Sequence, residues 1–123
     1  NHQGLYDVLA IVEACTHPFS VVAKKEVENV PFLKQVFKIM KAFMIDREDV
    51  RQAMKTITSV TKEVVSGRNY LIFPEGTRSK NGNNVGSFKG GSFKAATKAK
   101  CPIIPVALVD SFKPFSIQTV PDR

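Results

Sequence analysis

The sequence predicts an α/β sandwich in which a central mixed or mostly parallel sheet is flanked by helices. Short apolar runs, which are typical of buried strands, alternate with longer segments whose apolar residues recur every three or four positions. Strands and helices that alternate in this way usually form a parallel sheet joined by crossover connections. The predicted strands are residues 19–23, 43–45, 70–73 and 103–109, and the predicted helices are residues 4–15, 31–41, 48–66 and 92–100.

Several residues mark where these elements begin and end. Pro31 suits the first turn of the second helix, because its φ is already helical and it has no N–H to leave unpaired. Asp46 follows the second strand and is placed to cap the third helix, whose stop signal is Gly67. Pro105 interrupts the last predicted strand, which indicates an edge strand or the end of a strand.

The second helix carries a stripe of basic residues opposite its apolar side. Lys34, Lys38 and Lys41 are spaced four and three residues apart, as neighbours on one side of a helix are. Such a stripe suits anionic lipid head groups or an acidic carrier. A solvated helix face explains the same spacing.

The composition is that of an ordinary globular domain with a surplus of positive charge. The chain has 123 residues, of which 43% are hydrophobic and 24% charged, and this suits one domain with a single core. The net charge of +7 favours an anionic partner, such as anionic lipid, nucleic acid or an acidic carrier. We expect no nucleic acid partner, because aromatic residues are not interleaved with the lysines to stack on bases.

Cysteine and histidine usage indicates neither a disulfide framework nor a metal site. Cys15 and Cys101 lie among apolar neighbours, and we expect both to be reduced core residues of a protein on the cytosolic side. The two histidines lack the spacing of metal ligands, so we expect no metal. No apolar run reaches the roughly 18 residues of a membrane-spanning helix.

A carboxylate, a glycine, a hydroxyl and a guanidinium follow one another directly after the third strand. They are Glu75, Gly76, Thr77 and Arg78. Binding groups converge at the carboxyl ends of strands in α/β folds. Gly76 leaves room for a ligand to approach the backbone, and the planar fork of Arg78 suits a phosphate. A polar turn that ends a strand is the alternative.

His2 and Asp7 form a second candidate pair, at the start of the first helix. Five residues on a helix rotate side chains about 140° apart, so His2 has to precede the helix if the two are to meet. A carboxylate that holds one ring nitrogen makes the other a stronger base. Since no serine or cysteine nucleophile adjoins His2, we favour a base that activates a substrate hydroxyl directly. A surface or helix-capping histidine is the alternative.

Taken together, these stretches resemble the glycerolipid acyltransferase family, specifically the lysophosphatidate (1-acylglycerol-3-phosphate) acyltransferases of bacterial type. The resemblance covers about residues 1–110, and Lys34 and Lys41 depart from it, since glycines are usual at both positions. Four blocks carry it in order: Asn1-His2 with Asp7, Pro31 through Ile45-Asp46-Arg47, Phe73-Pro74-Glu75-Gly76-Thr77-Arg78, and Cys101-Pro102-Ile103-Ile104-Pro105-Val106.

The resemblance implies a fold like that of glycerol-3-phosphate acyltransferase and an enzyme of phospholipid biosynthesis. Such an enzyme moves a fatty acyl group from acyl-carrier protein or acyl-coenzyme A to the sn-2 hydroxyl of 1-acylglycerol 3-phosphate, giving phosphatidic acid, with the thioester as co-substrate and no cofactor. It implies that His2 is the general base and that Asp7 orients it. The implied substrate-binding residues are Arg47, Glu75, Gly76, Thr77, Arg78 and Pro105.

The same resemblance implies work at the cytoplasmic face of the membrane, with an anionic membrane surface as a partner. Because the chain begins inside a motif, we expect residues 1–123 to be one acyltransferase domain truncated at both ends. Glycerol 3-phosphate or another lysophospholipid is an alternative acceptor. A basic module that binds anionic membranes without catalysis is an alternative of another class.

Overall fold

A three-stranded parallel sheet lies at the centre of the computed structural model, which describes residues 5–79 and 81–113. Its strands are β1 (Phe19–Lys24), β2 (Phe43–Ile45) and β3 (Asn69–Leu71), in the order β2-β1-β3. The first half of β1 pairs with β3 and the second half pairs with β2. The α/β prediction is confirmed, and the sheet is parallel throughout the described residues.

Four helices accompany the sheet: α1 (Leu5–Ala14), α2 (Leu33–Ile39), α3 (Val50–Val65) and α4 (Lys94–Ala99). Short 3-10 turns at Lys25–Val27 and Gly90–Phe93 follow β1 and precede α4. All four predicted helices are therefore present, each within a few residues of its predicted ends. None of the helices in the described ranges combines the length and apolarity needed to cross a membrane.

The predicted strand at residues 103–109 is wrong. Residues 101–109 join no strand, and Ile103, Ile104 and Val106 are each more than half exposed. Pro102 and Pro105 explain part of this result, because neither has an N–H to donate to a neighbouring strand. The expectation of core cysteines is also corrected, since Cys15 is exposed and Cys101 is only partly covered, both as free thiols.

The core lies between the sheet and α3, which packs on β2, on β3 and on α4. Burial of one helix face on the sheet accounts for the period of about 3.6 residues in α3. The Thr56 hydroxyl on that face donates to the Met44 carbonyl at 3.2 Å and so satisfies a group at the edge strand β2. The buried apolar side chains come from all four helices and from β1: Ile11, Val21, Phe37, Val60 and Ala95.

Candidate active site

A cleft of about 950 Å³ opens at the carboxyl ends of the strands. Lys24 at the end of β1, Arg47 two residues beyond β2 and Phe73 two residues beyond β3 all line it. Because the three strands are parallel, their exits meet at one edge of the sheet, where α/β proteins place their ligands. The position of the cleft therefore follows from the topology.

One wall of the cleft is apolar and comes largely from α3. Val50, Ala53, Met54 and Ile57 line it at the spacing of a single helix face. Val50 is 69% exposed and Met54 is 61% exposed, so this stripe faces open space rather than a packed layer. Further apolar lining residues are Val8, Val21, Val22, Ala23, Val27, Leu33, Phe37, Ile45, Ile72 and Phe73.

The charged lining of the cleft is strongly basic. Its only carboxylate within the described ranges is Glu26, which Lys24 engages at 2.6 Å, and this hydrogen bond lowers the pKa of Glu26. No ion pair to another described residue neutralises the remaining cations. A ligand in the cleft thus meets a field that favours anions. These cations are Arg47, Arg78, Lys89, Lys94 and Lys98.

Gly76 is where the loops after β2 and β3 come together. Its φ is +70°, a conformation that glycine adopts without steric cost. A Cβ built there would lie 3.7 Å from Cζ of Arg47 and 3.6 Å from Cγ of Lys89. The Lys89 backbone N–H also donates to the Pro74 carbonyl at 2.7 Å. The glycine therefore keeps open the space beside a guanidinium and a lysine side chain.

Hydrogen bonds to α3 hold the segment that carries Arg47. The Gln52 side chain donates to the Met44 carbonyl at 3.0 Å and accepts from the Asp46 N–H at 2.8 Å, on either side of the end of β2. Asp46 Oδ1 accepts the N–H of Glu48 at 3.0 Å. That bond, with a salt bridge from a neighbouring lysine, lowers the pKa of Asp46. The exit of β2 is thereby fixed before any ligand binds.

The N-cap of α3 is Asp49, which corrects the prediction that Asp46 caps this helix. Oδ1 of Asp49 accepts the N–H groups of Arg51 and Gln52 at 2.9 and 3.0 Å. Asp46 lies three residues earlier and shapes the loop before the helix. The sequence offered two aspartates at this boundary, and both bind backbone N–H groups.

The Glu75 side chain lies beneath the loop that follows the motif. It is 4% exposed, and a Cβ built on Gly86 would come within 3.2 Å of its Oε2 atom. Glu75 is not among the lining residues of the cleft, whereas Gly76, Thr77 and Arg78 all are. The four residues of the motif thus divide into one buried carboxylate and three groups at the cleft.

Three predicted site residues remain, namely His2, Asp7 and Pro105. His2 lies outside the described residues, so its role stays a prediction. Asp7 is fully buried in the first turn of α1, and Val8 beside it lines the cleft. Pro105 is exposed and does not line the cleft. In residues 5–79 and 81–113, no group of three histidine, cysteine or acidic residues is arranged to hold a metal ion.

Sequence reasoning missed two contributions to this site. One is α3, since one face of that helix forms the apolar wall. The other is the pair Lys94 and Lys98 of α4, which line the cleft together with Thr97. The spacing of these three residues on α4 was the available signal, because positions three and four apart share a helix face.

The cleft combines an apolar wall with a basic lining at the carboxyl ends of the strands. These features define an α/β protein suited to binding an amphiphilic anion. The chain belongs to the acyltransferase family, whose model matches residues 1–109. It is 33% identical over 118 residues to "1-acyl-sn-glycerol-3-phosphate acyltransferase" of Helicobacter pylori, covering 94% of this chain and 49% of that protein. It is 37% identical over 109 residues to the proteins of that name from Salmonella typhimurium and Escherichia coli, covering 88% of this chain and 44% of each.

The chain spans about half the length of the curated relatives it matches. No solved structure matches it.

Proposed function

We propose that the protein transfers a fatty acyl group from a thioester to the sn-2 hydroxyl of 1-acylglycerol 3-phosphate. The observation that carries this proposal is the cleft, which joins an apolar wall to a basic surface. A lysophosphatidate has the complementary parts, namely an acyl chain and a phosphate. The acyltransferase names of the relatives agree with this reaction and with a role in phospholipid biosynthesis.

The acceptor phosphate binds beside Gly76 in this proposal. Arg47 and Lys89 approach the glycine from two loops, and Arg78 follows it by two residues. A guanidinium can hold two phosphate oxygens at once, which fixes direction as well as position. The acyl chain of the acceptor then lies on the α3 stripe, where burial is favourable by roughly 0.8 kcal/mol for each CH₂ group.

The chemical step needs a base next to the acceptor hydroxyl. His2 takes the hydroxyl proton as the oxygen attacks the thioester carbonyl, and the imidazolium returns the proton to the departing thiolate. The C–S bond breaks and an ester bond forms, giving phosphatidic acid and a free thiol. Asp7 orients the imidazole and stabilises its charged form. General-base help of this kind contributes about 10²–10⁴-fold.

The other motif residues support this geometry. Thr77 contacts the bound acceptor with its hydroxyl, while buried Glu75 holds the loop in position from below. Gly76 leaves the phosphate close to the backbone. Only the family resemblance supports a role of Pro105 in shaping the acyl pocket, since Pro105 lies outside the cleft lining.

The acyl donor is acyl-carrier protein or acyl-coenzyme A, both of which carry phosphate next to the pantetheine arm. Lys94 and Lys98 supply cations beyond those at Gly76, and they suit that second phosphate. The thioester is consumed as a co-substrate, so the reaction requires no bound cofactor. We place the enzyme at the cytoplasmic face of the membrane, where thioester donors and the lipid acceptor meet.

The test is an acyl-transfer assay with lysophosphatidate and each thioester donor. His2→Ala should abolish turnover, whereas Arg78→Ala should raise KM for the acceptor about tenfold or more with a smaller change in kcat. Arg51→Ala is the matched control, because Arg51 is an exposed arginine of α3 outside the cleft lining. Folded wild-type protein that binds lysophosphatidate but transfers nothing from either donor would refute the proposal.

A further inference from the structure

The outer face of α2, which consists of Phe32, Lys34, Gln35, Lys38 and Ile39, is not explained by the cleft. All five side chains are exposed, and Phe32 and Ile39 are 74% and 82% exposed. Single exposed apolar residues are common on protein surfaces. Here two large ones, at the N-cap and at the last residue of a seven-residue helix, accompany two exposed lysines.

Helix geometry divides this face into two edges. Gln35 and Ile39 are four residues apart and follow one line along the helix, and Phe32 precedes the helix as its N-cap. Lys34 and Lys38 are four residues apart and form a parallel line next to it. Ile39 therefore lies nearly opposite the buried Phe37, and the line of Lys34 and Lys38 runs between those two sides of the helix.

Phe32 has an unusual backbone conformation at the start of α2. Its φ of +70° and ψ of −47° lie outside the regions that phenylalanine ordinarily occupies. Its carbonyl nevertheless accepts the Val36 N–H at 3.2 Å and so begins the helix. Phe32 therefore lies directly before α2, and its side chain is exposed there.

We propose that the outer face of α2 docks on an anionic lipid bilayer. Phe32 and Ile39 lie at the boundary between head groups and acyl chains, and Lys34 and Lys38 contact lipid phosphates. An apolar edge beside a basic edge is the pattern of helices that lie in a membrane interface. The charge of the lysines complements anionic lipid, and each such residue contributes about fivefold to binding.

The inner side of the same helix faces the cleft, which relates the docking to the proposed function. Leu33 and Phe37 line the cleft, so one helix separates the docked surface from the proposed acceptor site. A lysophospholipid leaving the bilayer would only have to move past α2 to reach the proposed acceptor site. This part of the inference rests on the proposed function, which gives the protein a lipid substrate.

Vesicle sedimentation tests the docking without any turnover. Wild-type protein should bind vesicles of phosphatidylcholine with 30% phosphatidylglycerol, a composition chosen to be about one-third anionic, and bind phosphatidylcholine alone much less. Lys34→Gln with Lys38→Gln should weaken binding to the anionic vesicles about 30-fold. Phe32→Ser with Ile39→Ser should weaken binding to both compositions about tenfold or more.

Two controls match these changes on another helix. Lys55→Gln with Lys62→Gln removes two exposed lysines of α3, and Val65→Ser removes an apolar side chain that is 70% exposed. Both controls should bind vesicles nearly as wild type does. Equal losses in controls and α2 variants would overturn the proposal, as would α2 variants that bind unchanged.

Two further measurements distinguish docking on a bilayer from dimerisation and from the proposed function. Light scattering that shows a wild-type dimer, made monomeric by Phe32→Ser and Ile39→Ser without loss of vesicle binding, would assign the face to a second copy and overturn the docking. Transfer to a monomeric short-chain lysophosphatidate is measured with wild-type protein alone. Its failure counts against the proposed function, while vesicle binding reports on the face of α2.

Discussion

Replacing Gly76 with alanine tests the acceptor site most directly, because the change acts on stability and on binding by separate routes. An L-residue at φ +70° costs roughly 1–2 kcal/mol, and the stiffer unfolded chain returns roughly 0.4–1 kcal/mol. The net loss in the free energy of unfolding is therefore about 1 kcal/mol. For a domain of this size that loss lowers Tm by roughly 4 °C.

The binding effect comes from the new methyl group. It would lie 3.7 Å from Cζ of Arg47 and 3.6 Å from Cγ of Lys89, which is ordinary contact and not a clash. It would nevertheless occupy the space in which, in the proposed acceptor site, a phosphate oxygen meets the guanidinium. Loss of one charge-assisted hydrogen bond amounts to about 1.5–3 kcal/mol, which corresponds to roughly a 10- to 150-fold higher KM for the acceptor.

Gly67→Ala is the matched control for this experiment. Gly67 has a φ of +94° after the end of α3, and a Cβ built there would meet nothing within 4 Å. Thermal unfolding should show a similar loss of stability in both variants, whereas initial rates against acceptor concentration should show the KM change in Gly76→Ala alone. An unchanged KM in Gly76→Ala, or an equal rise in both variants, would refute the acceptor site at this glycine.

Three further predictions concern the loops around the cleft. Asp49→Ala should lower the free energy of unfolding in urea by about 1 kcal/mol through loss of the N-cap, and Asp49→Ser should recover most of it. The pKa of Asp46 is depressed below 3.8, so its contribution to stability is full at neutral pH and is lost as the pH falls through the folded-state pKa. Asp46→Asn should therefore show a smaller loss of stability between about pH 5 and pH 3 than wild type, and an unchanged pH dependence would contradict this reasoning. Gly86→Ala should lower Tm, because its Cβ would come within 3.2 Å of Oε2 of buried Glu75, whereas Gly90→Ala meets nothing within 4 Å and should not.

Most of the fold could be predicted from the sequence, because burial of one face of a helix or strand leaves a periodic pattern of apolar residues. α1 and α3 were predicted from that pattern, and β1 and β2 from short apolar runs. Residues 103–109 are equally apolar but form no strand. A strand needs a partner with free N–H and C=O groups, and apolar composition says nothing about that partner. The prolines in this segment argued against a strand, and their effect outweighed the hydrophobicity of the segment.

The site was predictable where it depended on topology and less so where it depended on packing. Arg47, Gly76 and Arg78 line one cleft, as expected of residues that follow parallel strands of the same sheet. The burial of Glu75 was not predictable, because nothing in the motif itself indicates which of its side chains the later loop will cover. A helical stripe likewise shows that α3 has an apolar face, but a face against a core and a face against a cleft have the same period.

α3 links the two halves of the proposed acceptor site. Its first turns carry Gln52, which fixes the exit of β2 and hence Arg47, and they also carry Val50 and Met54, which begin the apolar wall. The phosphate end and the acyl end of the cleft therefore share one rigid element and cannot shift independently. The Asp49 cap sets where this helix starts. Loss of the cap should consequently disturb the head-group and acyl-chain contacts together, whereas changes at Gly76 should act on the phosphate alone.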